Sequence, residues 1–390
     1  MEVVETSAAF ETVPVRFSVP LLAAAESTTP RERLASLDVM RGFVVIGMIV
    51  VNTIAFSNLS YGYHPASQLL SHAAWAGFTF ADFVFPAFIF MAGFSVAASL
   101  RSARVEWQTV RRIGTRTFAL LTLGFLLTNV ALFVQPGEWR MLGVLQRIGL
   151  CYFATALLFL CCSSRARFIL SLSVLALYWP LALLPVPHAT TNLFVPGANF
   201  ISWIDRTVLG AHALVTGPRG YDPEGLLSTA PAIAQCLLGA SFGEWFLRNR
   251  ARSDALLKLV AAGIGFLLLG LCWSLVFPVV KNIWTSSFVL VSSGISMLLF
   301  CALYWVLDER KIRLRGAAFF EAFGMNALFA YVLQELAQLL PATGNMHAIG
   351  SVSLKTDMPV LVGNLPVLAF ILILWAPLEL MRRRRWIVKL

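Results

Sequence analysis

One histidine and one aspartate interrupt the aromatic stretch SHAAWAGFTFADFVFPAFIFMAG at residues 71–93. His72 precedes an apolar run, and Asp82 lies near the start of that run. A neutral imidazole can accept a proton from an amine or hydroxyl, and a carboxylate can fix its tautomer and stabilise the imidazolium. The pair is therefore a candidate for proton-transfer chemistry. Two structural interpretations stay open: a loop-bonded interfacial histidine, and a carboxylate favoured at a helix start by the helix dipole.

Four other polar residues lie in or beside apolar runs. Asp38 and Arg41 are three residues apart, so on a helix they share a face and can pair. They either cap and anchor the helix, or Arg41 contacts an anionic ligand from the cytosol. Arg147 lies inside an apolar run, and Asn52 lies near the end of the first one. Ionisable groups in such places usually face a bundle interior or a wet cavity.

The elements that must position these residues are helices in lipid. Of the 390 residues, 58% are hydrophobic and 13% are charged, and soluble domains carry about twice that charged fraction. Mean hydropathy is +0.77. Apolar runs of about 18 or more residues predict ten membrane spans in one bundle. The predicted spans lie near 36–56, 78–100, 113–134, 144–162, 166–184, 226–247, 256–277, 285–306, 319–340 and 359–381.

The distribution of basic residues supports this topology. With both termini cytoplasmic, 24 of the 30 Lys and Arg residues fall on the inner side, as the positive-inside rule requires. All five histidines, the YDPEG segment at 221–225 and the pair Lys281–Asn282 then fall on the outer side. The net charge of +10 lies mainly in inner loops that face anionic lipid, so it does not call for a nucleic-acid partner.

Residues 1–30 lack a secretory signal pattern and are predicted to be a disordered cytoplasmic tail. Residues 31–390 form one predicted membrane domain, with a Pro/Gly-rich outer loop at about 185–225. The six cysteines lie in or beside apolar runs without metal-site spacing, and the histidines lack the spacing of a zinc site. We therefore expect small core cysteines and no metal.

Six segments carry a resemblance to a known family: SLDVMRGFVVIGMIVVN (36–52), HAAWAGFTFADFVFPAFIFMAG (72–93), GVLQRIGLCYF (143–153), YDPEGLLST (221–229), KNIWTSSF (281–288) and GMNALFAYV (325–333). Together they resemble the heparan-alpha-glucosaminide N-acetyltransferase family of membrane acetyltransferases, including its bacterial amino-sugar-associated members. The segments occur in family order and cover nearly the whole chain from about residue 32.

The resemblance implies transfer of an acetyl group from cytosolic acetyl-CoA to an amino sugar on the periplasmic side of a bacterial inner membrane. It aligns His72 with the active histidine, and Asn52 and Asp82 with associated polar positions. The amides of Asn52 or Asn282 are candidate donors to the thioester oxyanion. The candidate acetyl-CoA-binding residues are Arg41, Asp38, Arg147 and Asn282. The candidate sugar-binding residues are Asp222, Glu224 and Trp75.

Several alternatives stay open at the level of sequence. His72 either takes only the proton or itself carries the acetyl group. A secondary transporter for amino sugars would also suit a ten-span bundle, although paired broken helices in inverted halves are not evident. A third interpretation is an O-acetyltransferase acting on a hydroxyl of a cell-envelope polysaccharide. A homodimer is one option for the assembly.

Overall fold

The computed structural model describes residues 34–56, 69–133, 137–187, 190–213, 220–312, 314–337 and 359–388. The predicted tail at 1–30 lies outside these ranges, as do His64, His188 and His347. The described residues form twelve α-helices: α1 (Ala35–Phe56), α2 (Phe80–Leu100), α3 (Trp107–Thr128), α4 (Val144–Cys161), α5 (Ser164–Ala182), α6 (Phe200–Leu209), α7 (Thr229–Asn249), α8 (Ala255–Trp273), α9 (Ser286–Tyr304), α10 (Ala317–Met325), α11 (Ala327–Ala337) and α12 (Pro359–Arg383).

The protein is all-helical over its described residues, and it carries helices long and apolar enough to cross a membrane. Five qualify individually, namely α1, α2, α4, α8 and α9, and the bent pair α10–α11 would make a sixth. A helix or helix pair also lies in each of the ten predicted ranges. However, α3 begins with a basic half that contains Arg111, Arg112 and Arg116. The total of ten spans and the placement of the termini therefore stay predictions.

The surface of α8 shows which solvent this fold suits. Its side chains include Leu257, Leu268 and Leu269, which are 72%, 56% and 55% exposed. In water such a row of exposed leucines would leave apolar area unburied, whereas lipid solvates it without cost. The outward face of α8 is therefore suited to contact with acyl chains.

The helix predicted as one span at 319–340 is broken. α10 and α11 meet at an angle of 82°, and Asn326 stands between them. The side-chain amide of Asn326 donates to the carbonyl of Trp386 (3.0 Å) and accepts from the backbone N–H of Val388 (2.9 Å). Residues about 60 positions further along the chain therefore form hydrogen bonds with Asn326 at the break between the two helices.

Glycines bring pairs of helices into backbone contact. A Cβ atom at Gly93 of α2 would lie 1.8 Å from the carbonyl oxygen of Cys236 on α7, and one at Gly239 of α7 would lie 2.1 Å from the carbonyl oxygen of Phe90. Only glycine permits such an approach, which is typical of helix pairs in membranes. The helix that carries Asp82 is thus held tightly against α7.

Candidate active site

His72 and Asp82 are in direct contact at the mouth of α2. The Nδ1 atom of His72 lies 2.8 Å from Oδ1 of Asp82. The His72 side chain is 45% exposed, whereas the Asp82 side chain is 2% exposed. A buried carboxylate that accepts from Nδ1–H leaves the lone pair on Nε2, the nitrogen available to a reactant. The arrangement therefore provides an oriented base or nucleophile at an accessible surface.

The sequence around Asp82 explains why its carboxylate is fixed. Thr79 is the N-cap of α2 and Asp82 is the third helical residue, so the two form a capping box. Oδ2 of Asp82 accepts from the backbone N–H of Ala73 (3.1 Å), the backbone N–H of Thr79 (3.2 Å) and the Thr79 hydroxyl (3.0 Å). Asp82 is therefore both the helix-start carboxylate and the partner of His72, with one oxygen in each role.

Lys281 is the third member of the cluster, and its contact with His72 was not predicted from the sequence. Its Nζ atom lies 3.2 Å from Nδ1 and 3.1 Å from Nε2 of His72. The two residues are 209 positions apart. The sequence offered a partial signal, since Lys281 is one of six basic residues predicted on the outer side, but it gave no means of pairing Lys281 with His72.

The turn that carries Lys281 is tightly built. The Trp284 backbone has a φ of 52°, which is unusual for a bulky side chain, and its N–H donates to the carbonyl of Lys281 (3.0 Å). The buried Trp284 indole donates to Oε1 of Gln235 (3.0 Å), and the Arg147 guanidinium lies 5.0 Å from the Trp284 ring centroid. Such a backbone conformation persists where the surroundings hold it in place. The base of the Lys281 turn is therefore fixed.

A second charged group lies on the YDPEG segment. Nη2 of Arg140 donates to Oδ1 of Asp222 (2.8 Å) and to Oε2 of Glu224 (2.5 Å). Burial raises the pKa of Glu224, but Arg140 and Arg147 outweigh it and hold that pKa below its ordinary value. Both carboxylates predicted to bind the sugar are thus held by one guanidinium, and Glu224 is anionic at neutral pH.

Arg147 holds this segment from beneath. It is 1% exposed, and its guanidinium donates to the carbonyls of Pro223 (3.1 Å) and Gly225 (2.9 Å) and to the hydroxyl of Ser228. The prediction that Arg147 points into the protein is confirmed. Its partners make it an anchor for the outer loop, and its suggested role toward acetyl-CoA stays a prediction.

Trp75 and Asn282 link the three segments. The Trp75 ring lies 4.9 Å from the Tyr221 ring, and its indole donates to the carbonyl of Leu193 (2.9 Å). The amide of Asn282 lies 3.4 Å from the Tyr221 hydroxyl. Residues 72–82, 221–225 and 281–284 are thus joined in one cluster, although Trp75 is buried and its indole N–H is already bonded.

The remaining predicted site residues lie on α1. Arg41 contacts Oδ1 of Asp38 (3.3 Å) and the hydroxyl of Ser95 near the start of the helix. Asn52 is partly buried near the other end. Ser95 lies near the opposite end of α2 from Asp82, so the structure does not bring Arg41 and Asp38 into the cluster. The role suggested for Asn52 stays a prediction.

The part of the chain that the structure describes contains no arranged set of ligands for a metal ion. No group of three or more His, Cys, Asp or Glu side chains there is arranged to hold a metal ion. The cysteines are free thiols, and Cys151, Cys236 and Cys301 are buried among apolar residues.

These features define a helical membrane protein whose His–Asp–Lys cluster is suited to proton or acyl transfer. Comparison with known proteins then gives the family. The sequence model described as "Heparan-alpha-glucosaminide N-acetyltransferase, catalytic" matches residues 33–277, so the chain belongs to that family. The resemblance found in the sequence is confirmed.

Two curated relatives carry the same printed name, heparan-alpha-glucosaminide N-acetyltransferase. The human protein is 31% identical over 363 residues, which covers 78% of this chain and 53% of the relative. The mouse protein is 29% identical over 365 residues, which covers 78% of this chain and 54% of the relative. The chain thus spans about half the length of the curated relatives it matches.

Proposed function

We propose that this protein is a transmembrane acetyltransferase that moves an acetyl group from acetyl-CoA to the amine of an amino sugar. The observation that carries the proposal is the contact between exposed His72 and buried Asp82, at 2.8 Å. Both residues lie within the range matched by the acetyltransferase family. The family relationship supplies the reaction class, and the His–Asp pair supplies groups able to perform it.

In a single displacement, Nε2 of His72 takes a proton from the sugar amine as the nitrogen bonds to the acetyl carbon and the carbon–sulfur bond breaks. The proton then passes to the leaving thiolate. Asp82 keeps the Nδ1–H tautomer throughout and stabilises the imidazolium that forms.

In a double displacement, Nε2 of His72 instead attacks the acetyl carbon, the carbon–sulfur bond breaks, and CoA leaves as its thiolate while His72 becomes an N-acetylimidazolium. The sugar amine then takes the acetyl group from Nε2, and the proton that the amine loses passes to the thiolate. Asp82 has the same orienting role in this route. Both routes require an open Nε2, next to the amine in the first route and next to the acetyl carbon in the second. The partly exposed ring of His72 can supply it.

The remaining roles follow from position. The exposed imidazole suits the acyl end of the donor, and Arg41 is the basic residue we assign to phosphates that reach the inner end of α1. Asn282 lies beside Lys281 and is the amide we assign to the oxyanion in preference to Asn52. Glu224 and Asp222 would bind the acceptor or order the loop that admits it.

The sidedness of the reaction, with a cytosolic donor and an outer acceptor, belongs to the same proposal and rests on the distribution of basic residues. Location in a bacterial inner membrane, and assembly as a homodimer, stay predictions.

The test compares His72→Ala with His212→Ala in purified protein. His212 is a matched control, because its ring stacks on Trp139 at 3.7 Å and its Nδ1 contacts the Trp139 carbonyl (3.0 Å) instead of a carboxylate. We expect His72→Ala to abolish acetylation of glucosamine by labelled acetyl-CoA, and His212→Ala to retain it. Near-normal turnover of folded His72→Ala would refute the assignment. Labelled protein trapped without acceptor would favour the double displacement.

One feature favours a second candidate, an amino-sugar transporter. The 82° break between α10 and α11 resembles the discontinuous helices of many secondary transporters. Uptake of glucosamine into proteoliposomes without acetyl-CoA would support it. Glucose and glucosamine compared as acceptors would separate O-acetylation from N-acetylation in the same preparation.

A further inference from the structure

The charges that face His72 come from two directions. Asp82, on α2, contacts Nδ1 of His72. Lys281, on the turn between α8 and α9, contacts the His72 ring without taking part in the hydrogen bond between His72 and Asp82. In the described part of the chain, no other charged side chain lies within ion-pair distance of His72. Glu224 and Arg147 act from further away, through their electrostatic effect on Lys281.

The position of the ammonium relative to the ring defines the kind of interaction. Its distances to Nδ1 and Nε2 are nearly equal, at 3.2 and 3.1 Å. The in-plane lone pair of Nε2 points away from Nδ1, whose own in-plane direction carries the N–H bond to Asp82. A donor aligned with the Nε2 lone pair would therefore lie much closer to Nε2 than to Nδ1. The ammonium is therefore off both axes, and it acts on the imidazole mainly as a charge.

We propose that Lys281 is a positioning residue whose ammonium, placed beside the ring, disfavours the imidazolium form of His72, so that Nε2 retains the lone pair needed for acetyl transfer. This inference rests on the proposed function of His72. Asp82 alone, buried and in contact with Nδ1, would favour the imidazolium and so remove that lone pair. A cation beside the ring disfavours the imidazolium and opposes that effect.

The scaffold around Lys281 suits such a role. The backbone N–H of Gly77 donates to the carbonyl of Val279 (2.9 Å), which ties the His72 segment to the Lys281 turn. The N–H of Val280 bonds to Oγ1 of Thr285 (3.0 Å), and the N–H of Thr285 bonds to the carbonyl of Val280 (3.1 Å). Lys281 and His72 are therefore connected by backbone contacts as well as by their side chains.

The charge of Lys281 is itself sensitive to its surroundings, because the pKa of Lys281 is shifted. Burial lowers it, and Asp82 and Glu224 oppose that change by favouring the ammonium. The net direction is downward, so Lys281 loses its charge at a lower pH than an ordinary lysine. The influence of Lys281 on His72 is therefore itself a function of pH.

The kinetic test compares Lys281→Met, which removes the charge, with Lys281→Arg, which keeps it. The pH profile of kcat/KM for acetylation of glucosamine reports the ionisation of the free enzyme. We expect the acid limb of Lys281→Met to move to higher pH by about one unit, the lower end of shifts caused by a close charge. The acid limb of Lys281→Arg should stay near that of the unmodified protein. Unchanged limbs in both variants would overturn the proposal.

A second measurement does not require catalysis. Diethylpyrocarbonate reacts with neutral imidazole, and peptide mass spectrometry follows the modification of His72 at each pH without acetyl-CoA. The midpoint should shift upward in Lys281→Met alone, and an identical midpoint in all three proteins would refute the role of Lys281. If His72→Ala remained active while this midpoint still shifted, the proposed function would fail but the effect of Lys281 on His72 would stand.

Discussion

Replacement of Asp82 by asparagine should disable the site while leaving the helix folded. Oδ2 of Asp82 accepts three hydrogen bonds from Ala73 and Thr79, and Oδ1 accepts one from His72. An asparagine keeps the three hydrogen bonds from Ala73 and Thr79 when its single carbonyl oxygen takes the Oδ2 position. Its NH₂ group then faces Nδ1 of His72 and donates to it. The ring must adopt the Nε2–H tautomer, and the lone pair moves away from the reactant.

The expected loss is large because the tautomer is wrong in nearly every molecule. Asp→Asn changes of this kind reduce kcat by about 10⁴-fold in a catalytic triad. With an exposed histidine we expect about 10³- to 10⁴-fold, which corresponds to about 4 to 5.4 kcal/mol of transition-state stabilisation. Most of the cap is kept, so the melting temperature should change little. The assay is transfer of labelled acetyl to glucosamine, with ¹⁵N NMR of the His72 ring as a direct report of the tautomer.

Asp254→Asn is the matched control, because Asp254 is exposed and pairs with Lys258 at the start of α8 (2.6 Å). It should leave kcat unchanged, and stability should stay within about 0.5 kcal/mol. If folded Asp82→Asn kept more than a tenth of the normal kcat, the orienting role of Asp82 would be refuted.

Two further predictions concern the outer loop. Arg147→Gln should lower the melting temperature strongly, because each buried acceptor left unpaired costs about 1 to 3 kcal/mol. Exposed Arg104→Gln should not, and equal melting curves would contradict the anchoring role. Burial raises the pKa of Asp205 from 3.8 to about 6. Between these values the folded state binds more protons than the unfolded state, so stability should fall as pH rises from about 4 to above 6. Asp205→Asn should flatten that slope in thermal melts, and an unaltered slope would exclude Asp205 as its source.

The sequence predicted the family and the helical character well because both are written in local patterns. Apolar runs indicate helices, and the family segments lie in order along the chain. The proximity of His72 and Asp82 could also be predicted from the sequence, since the two residues are ten positions apart on either side of a helix start. Their catalytic role stays a prediction.

Contacts between distant segments were beyond the sequence. Lys281 meets His72 only after α2 and the turn before α9 have packed together. The break at Asn326 has a similar origin, because the tail near Trp386 supplies its hydrogen bonds. The role suggested for Asn52 depended on alignment alone and stays a prediction. Arg41 was singled out by its position, and the structure places it beside Ser95, away from the cluster.

The glycine contacts between α2 and α7 have a mechanical consequence. Where Gly93 and Gly239 let one backbone lie against another, no side chain can rotate aside to permit sliding, so α2 is fixed against α7 at that level. Asp82 is eleven residues, or about 16 Å, along the same helix from Gly93. A bulky residue at either glycine would push the two helices apart and tilt α2. Such a substitution would misplace Asp82 without contacting it, so it would be detected as a loss of activity and not as a lost contact of Asp82.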